Sequence, residues 1–274
     1  MLRVFVDSGS SIKQDEKEKY QVEIIPLRYI MGDVEYNDGL DITIDEFYDL
    51  LINKKYFPKT SLPSLLEAKE KIEQYVKLGD DVIVITISSG LSGTHSALYK
   101  MFEGCEKVRV IDSLSAVGGI KILLHELNKH RDESLDKLVE RIKNLIPRIK
   151  VLAIPETLNY LMKGGRLSKK DWLLGTVLKI KPLITLTKGK VKVESKKIGL
   201  KNAMQALAKG LDKFNCDINY PIVPSFTYNK VNLGKLINIT DDKYKECMIE
   251  YDNLDPVIAC HWGPNAFGYI FVTK

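Results

Sequence analysis

Four cysteines and four histidines occur among 274 residues, and neither type clusters. Cys105, Cys216, Cys247 and Cys260 are far apart and form no C-x-x-C pair, which argues against a dithiol redox motif or a zinc knuckle. No histidine belongs to an H-E-x-x-H arrangement, so no metal centre is expected and the cysteines read as free buried thiols. Long apolar runs are missing too. The opening stretch MLRVFVDSGSS reaches Asp7 before a signal sequence or a membrane span can form, so no integral membrane segment and a cytoplasmic location are expected. There is no polybasic block: 41 Lys and Arg against 36 Asp and Glu leave a formal charge of +5 spread over the chain. A nucleic-acid partner is not expected.

What remains is a composition suited to a large core, 45% hydrophobic and 28% charged. Domains of roughly 100 to 200 residues make one or two units possible at this length. Two are preferred. Pro147 marks the junction, giving residues 1–148 and 149–274.

The first half reads as α/β. LRVFV at 2–6 is a strand that runs into the small-residue turn DSGSS, and VEIIPLRYI at 22–30 is a strand candidate weakened by Pro26. MGDVEYNDG reads as a turn leading to a helix from Ile44, capped by Thr43 with Glu46 completing a capping box. KTSLPS precedes an amphipathic helix carrying Leu65, Ala68 and Ile72. DVIVITIS at 81–88 is a β-branched run of the kind buried in a parallel sheet. A glycine-bearing turn and a helix follow it, then a strand at 108–113 and helices at 116–129 and 134–146. Beyond Pro147 the pattern changes. A strand and a short helix around Leu158, Leu161 and Met162 lead to GGRLS, and strands flank a Lys188-Gly189 turn. Helices near 200–213 and 232–238 alternate with strands near 219–224, 246–251 and 268–273, which suggests a second α/β unit with antiparallel strands.

Several segments invite chemistry. SSGLSGTHS lies between a buried-type strand and a helix, where free amides can hold an anion. It lacks the lysine of a nucleotide phosphate loop and the full dinucleotide fingerprint, so ATP and dinucleotides are disfavoured. Ser92, Gly93 and Thr94 still suit a carboxylate, although an ordinary helix cap explains them equally simply. Thr60 and Ser61 place two hydroxyls before another helix, at the same end of the sheet expected for Ser92, unless they are only turn residues. Asp7 and Asp112, at strand ends, either bind a cation or orient their loops. Arg166 in GGRLS suits an anionic group, against the simpler reading of a surface arginine on a turn. His261, between VIAC and WGPNAFG, is a crevice imidazole or a structural one beside Trp262. A triad of Ser92, His261 and Asp7 would make a hydrolase, but Ser92 does not sit in G-x-S-x-G.

Taken in order, VDSGSS, KTSLPS, ITISSGLSGTHSA, VIDSLSAVGG, LNYLMKGGRLS, LLGTVLKIKPLI and IACHWGPNAFG resemble the DegV family from near residue 2 to the C-terminus. The resemblance implies an N-terminal three-layer α/β/α domain with a mostly parallel sheet. It implies a C-terminal α/β domain with a mixed or antiparallel sheet, and a long-chain fatty acid held between the two. On that resemblance Thr60 and Ser92 hydrogen-bond the carboxylate, Ser61 and Gly93 adjoin them, and Arg166 and His261 surround the polar end. No other cofactor is implied, and no catalytic residue. Some relatives are binding subunits of fatty acid kinase, presenting the carboxylate to a separate ATP-binding subunit for conversion to acyl phosphate. Here the chain departs from the pattern. Ile198 and Leu200 stand where kinase-binding members often carry basic side chains, and Pro224 stands where a histidine is usual. A lipid carrier without a kinase partner, and a standalone hydrolase or small-acid transferase using Ser92 and His261, remain as alternatives.

Overall fold

A computed structural model describes residues 1–175, 179–249 and 252–274. In the first half, β1 (Leu2–Asp7), α1 (Lys17–Tyr20), β2 (Glu23–Ile25), β3 (Arg28–Met31), β4 (Val34–Asn37), α2 (Ile44–Tyr48) and β5 (Lys59–Ser61) come first. They are followed by α3 (Leu65–Lys77), β6 (Asp81–Thr86), α4 (Thr94–Met101), β7 (Val108–Asp112), α5 (Gly118–Lys129) and α6 (Leu135–Leu145). A four-stranded parallel sheet has the order β2-β1-β6-β7. Its central strand β6 is buried along nearly its whole length, as its β-branched run requires.

Alternation along β1 and β6 sends side chains to both faces of this sheet. Phe5, Val82 and Val84 pack with Ala68 and Ile72 of α3 and Leu98 of α4, while Val4, Val6, Ile83 and Ile85 pack with α5 and α6. This is the expected three-layer, mostly parallel arrangement. The stretch 22–30 is not one strand. Pro26 removes a ladder donor, and the chain leaves the parallel sheet after β2 to build a separate antiparallel sheet, β4-β3-β5. The expected turn at 31–39 accordingly contains β4. Thr43 and Glu46 form the capping box of α2 as anticipated, with Glu46 N–H donating to Thr43 Oγ1 at 3.2 Å and Thr43 N–H donating to Glu46 Oε2 at 2.8 Å.

The second half contains β8 (Ile149–Ile154), α7 (Asn159–Lys163), α8 (Lys169–Gly175), β9 (Ile180–Thr187), β10 (Lys190–Ile198), α9 (Leu200–Ala208) and α10 (Gly210–Lys213). It continues with β11 (Val223–Phe226), α11 (Val231–Asn238), α12 (Asp242–Lys245), β12 (Asp252–Asn253), α13 (Pro256–Trp262) and β13 (Phe267–Val272). Six strands form a mixed sheet in the order β10-β9-β8-β13-β11-β12, antiparallel except for β11 with β12. The single helix expected over 200–213 is two, α9 and α10. The strand expected at 246–251 begins instead at Asp252, and residues 250–251 lie outside the described residues, as does the 176–178 part of LLGTVLKIKPLI.

α5 ties the halves together. Almost every residue from Gly118 to Leu127 is buried, including Ile120, Ile122, Leu123 and Leu124. A helix buried around most of its circumference needs cover from more than one layer. One face lies against the parallel sheet, and the other contacts β8, β11 and β13 of the mixed sheet, so Val4, Ile83, Ile120, Val151, Val223 and Ile270 share one core. The opposite face of the mixed sheet is covered by α9, α10 and α11 through Leu207, Leu211 and Leu236. Truncating Ile120 to Ala should therefore cost about 2–5 kcal/mol, and urea denaturation should follow both halves losing stability in one transition. Loss confined to a partial transition would refute the shared core.

Candidate functional site

The two sheets stand a helix apart wherever α5 lies between them. Just before α5, at Ala116 and Val117, the gap continues without a helix to fill it. A cavity of about 350 Å³ occupies this region. The first half contributes Leu27, Ile87, Leu91, Ala116 and Val117, and the second contributes Val151, Ala153, Leu186, Val257, Ile258 and Ile270. Val117 has φ 44°, unusual for a β-branched residue, and its N–H donates to Gly9 O at 2.7 Å. Strain of this kind concentrates at ligand sites.

Thr60, Ser61, Ser92, Gly93, Arg166 and His261 all line the same cavity, although they come from four separate chain segments. Thr60 and Ser61 end β5, Ser92 and Gly93 precede α4, Arg166 follows α7, and His261 is near the end of α13. Ser61 and Gly93 are exposed, whereas Thr60, Ser92, Arg166 and His261 are partly buried, so the polar residues form the rim. Thr60 Oγ1 lies 2.9 Å from His261 Nε2. Ser92 Oγ is 2.9 Å from Thr94 Oγ1 and accepts from Thr94 N–H at 3.3 Å. Ser61 Oγ donates to Glu35 Oε1 at 3.2 Å.

Arg166 is fixed by its own backbone surroundings. Nε donates to Leu91 O at 2.8 Å and Nη1 to Gly164 O at 2.5 Å, which joins the GGRLS turn to the SSGLSGT loop of the other half. No acidic side chain among the described residues pairs with it, and burial alone lowers its pKa. A half-buried guanidinium with unused N–H donors at the mouth of an apolar cavity calls for an anion.

Burial, reinforced by the Arg166 charge, holds His261 down at about 3. The ring is neutral near pH 7. Nδ1 is buried without a hydrogen-bond partner among the described residues, and it faces Gly164, where an added Cβ would stand 2.3 Å from it. Only glycine leaves room for the imidazole. The direction of the Thr60–His261 bond follows the tautomer: with the proton on Nε2 the ring donates to Thr60 Oγ1, and the threonine O–H is left to donate to an acceptor.

The triad does not form. Ser92 Oγ is paired with Thr94 rather than His261, and among the described residues no carboxylate orients the imidazole. Asp7 instead accepts from Gly9 N–H at 3.1 Å and Ile87 N–H at 2.9 Å. Burial pushes Asp7 up to about 7 against the lowering effect of those two amides. Asp112 accepts from Ser89 and Leu114 N–H at 3.1 and 2.9 Å, so both acids order loops. Among the described residues no group of three or more His, Cys, Asp or Glu is placed to hold a metal, and no helix is long and apolar enough to cross a membrane. The apolar walls were not identified in the sequence. Their one usable signal is positional: Ala153, Gly268 and Ser225 are small residues on neighbouring strands, and they become a row only when the register is known.

A sequence profile described as "Uncharacterised protein, DegV family" matches residues 1–274. A DegV domain-containing protein of Clostridium acetobutylicum is 31% identical over 100% of this chain and 99% of its own length. One from Staphylococcus aureus is 30% identical over 99% of this chain and 98% of its own. Among solved structures, the fatty acid binding DegV family protein SAG1342 of Streptococcus agalactiae superposes with a TM-score of 0.90 at 26% identity, covering 100% of this chain and 99% of that one. A DegV family protein of Thermus thermophilus, whose structure is described as fatty acid binding, gives 0.84 at 25% identity with the same coverage.

The imidazole makes a pH-dependent contribution to stability. Below its ordinary value of 6.5 the unfolded chain takes up a proton that the folded chain refuses until about 3. That contribution is complete above pH 6.5 and is lost as pH falls toward 3. Asp7 has the opposite sign, because its folded carboxyl keeps a proton from about 3.8 to about 7 that the unfolded chain has released. Its contribution is present in acid and lost as pH rises through 7. In lipid-free protein, the unfolding free energy of the wild type minus that of His261→Asn should fall by about 2 kcal/mol between pH 7.5 and 5. A constant difference by urea denaturation at the two pH values would show that the ring titrates normally.

Proposed function

The chain belongs to the DegV family, and from that premise we propose that it binds a long-chain fatty acid, with the acyl chain in the cavity and the carboxylate at its rim. The observation that carries this reading is Arg166, a cation without an acidic partner among the described residues, set at the edge of an apolar space of about 350 Å³. A fatty acid meets both demands at once. Its head supplies the missing negative charge, and each buried methylene contributes about 0.8 kcal/mol of transfer free energy. Thr60 and Ser92 donate hydroxyl hydrogen bonds to the carboxylate, Ser61 and Gly93 border it, and neutral His261 holds Thr60 in orientation. Residues 1–148 and 149–274 serve as two units that supply opposite walls. Such a protein would work in the cytoplasm.

A further role as the substrate-presenting subunit of a fatty acid kinase is favoured by the exposure of Ser61 and Gly93 on the rim. A head group held there is open to attack from outside while its chain is covered. The SSGLSGT loop offers no lysine to a nucleotide, so ATP would be bound by the separate subunit. Ile198, 72% exposed, gives that surface an apolar rather than a basic side chain at this position.

Organic extraction of the purified protein followed by mass spectrometry should release a fatty acid, and lipid-free protein should take up palmitate or oleate. Absence of both from folded protein would end the proposal. Thr60→Ala with Ser92→Ala should weaken palmitate binding about 10-fold or more, since each removed hydrogen bond is worth about 0.5–1.5 kcal/mol. Equal affinity of the double variant and the wild type would remove these residues from the head-group site. Arg166→Ala should erase the preference for palmitate over hexadecanol, which lacks the charge. With an ATP-binding fatty acid kinase subunit added, it should also lower acyl-phosphate formation more than it lowers palmitate retention. A preserved preference for the acid would show that Arg166 does not meet the carboxylate.

A further inference from the structure

The floor of the cavity is set by strand register. On its cavity-facing side the mixed sheet carries Val151, Ile270 and Val223 in one cross-strand row, and Ala153, Gly268 and Ser225 in the next. The bulky row reaches the core around α5 and the small row leaves space. Ala153 and Gly268 suit a purely apolar floor. Ser225 does not.

Ser225 is 4% exposed, and its Oγ has no hydrogen-bond partner among the described residues, including Thr60, Ser92, Arg166 and His261. The fold gains nothing from this hydroxyl, because alanine would fill the same volume without burying an unpaired polar group. A buried water needs two to four polar partners, and the side chains beside Ser225 toward β13 and β8, those of Val223, Ile270 and Ala153, offer none, while its register partner on β12 is Asp252. Ser225 lines the cavity, so an occupant is placed to supply the partner.

We propose that the cavity selects acyl chains that carry an oxygen substituent along the chain, a hydroxyl or a carbonyl, and that Ser225 is the residue that recognises it. The serine hydroxyl donates to either group and accepts from a hydroxyl, so the Ser225 hydroxyl and the polar group on the chain satisfy each other. Specificity then follows from the cost of mismatch. A plain chain leaves Ser225 unpaired, and an oxygenated chain in a floor without Ser225 leaves its own oxygen unpaired.

This inference rests on the fatty-acid reading, and the test separates the two. Binding of stearate and of its 7-, 10- and 12-hydroxy derivatives would be measured for the wild type and for Ser225→Ala. The substitution should weaken at least one hydroxystearate about 5- to 10-fold while changing stearate by less than about twofold, with retained stearate binding reporting an intact site. Equal effects on all four acids, or none, would overturn the role of Ser225. A weakening of stearate as large as that of its hydroxy derivatives would make Ser225 a head-group contact instead, which also overturns it. Failure of every acid to bind the wild type would remove the fatty-acid reading itself.

Discussion

Everything in this molecule depends on the enclosure of α5. A helix buried around most of its circumference cannot rest on one sheet with its other face in water, so the parallel sheet and the mixed sheet both cover it. Their separation is then fixed near one helix diameter, about 10 Å. Where the helix begins, at Gly118, the separation persists and the filling stops. The cavity is the unfilled continuation of the layer that α5 occupies, which is why Ala116 and Val117 line it and why residues of both sheets form its walls.

The rim follows from the same geometry. Loops at the ends of β5 and β6 meet the turn after α7 and the end of α13 around the opening. They are tied across it: Arg166 donates to Leu91 O, Ser88 Oγ donates to Gly189 O at 2.9 Å, and Thr60 meets His261. The first two contacts satisfy backbone carbonyls of one segment with side chains of another, so the polar side chains of the rim are placed by the same bonds that hold the segments together. Arg166 is cationic and His261 is neutral, Asp7 and Asp112 accept from loop amides, and Glu35, which accepts from Ser61, is paired with Arg28. Arg166 is left as the rim charge without an acidic partner among the described residues.

On the proposed reading, recognition divides between rim and floor. Charge and hydroxyl donors at the rim would act on a head group common to all fatty acids, without discriminating among chains. Discrimination would belong to the floor, where shape and the unpaired Ser225 hydroxyl meet the part of the ligand that varies.

Much of this was legible in the residues alone. The β-branched run at 81–86 marked a buried parallel strand, 116–129 read as a helix although not as an enclosed one, Thr43 and Glu46 marked a cap, and hydroxyls and glycines after strands marked the polar loops. These depend on neighbours a few residues away, and local sequence encodes them. Pro26 was visible as an irregularity, but that the chain would leave one sheet there and start another required knowing what β3 pairs with. The convergence of Thr60, Ser92, Arg166 and His261 belongs to the tertiary structure, since residues 60 and 261 are brought to hydrogen-bond distance only by packing of the two halves. So does the cavity floor. Ala153, Gly268 and Ser225 are unremarkable small residues in three distant segments, and only cross-strand register, set by long-range pairing, turns them into a row with space above it and an unpaired hydroxyl at one end.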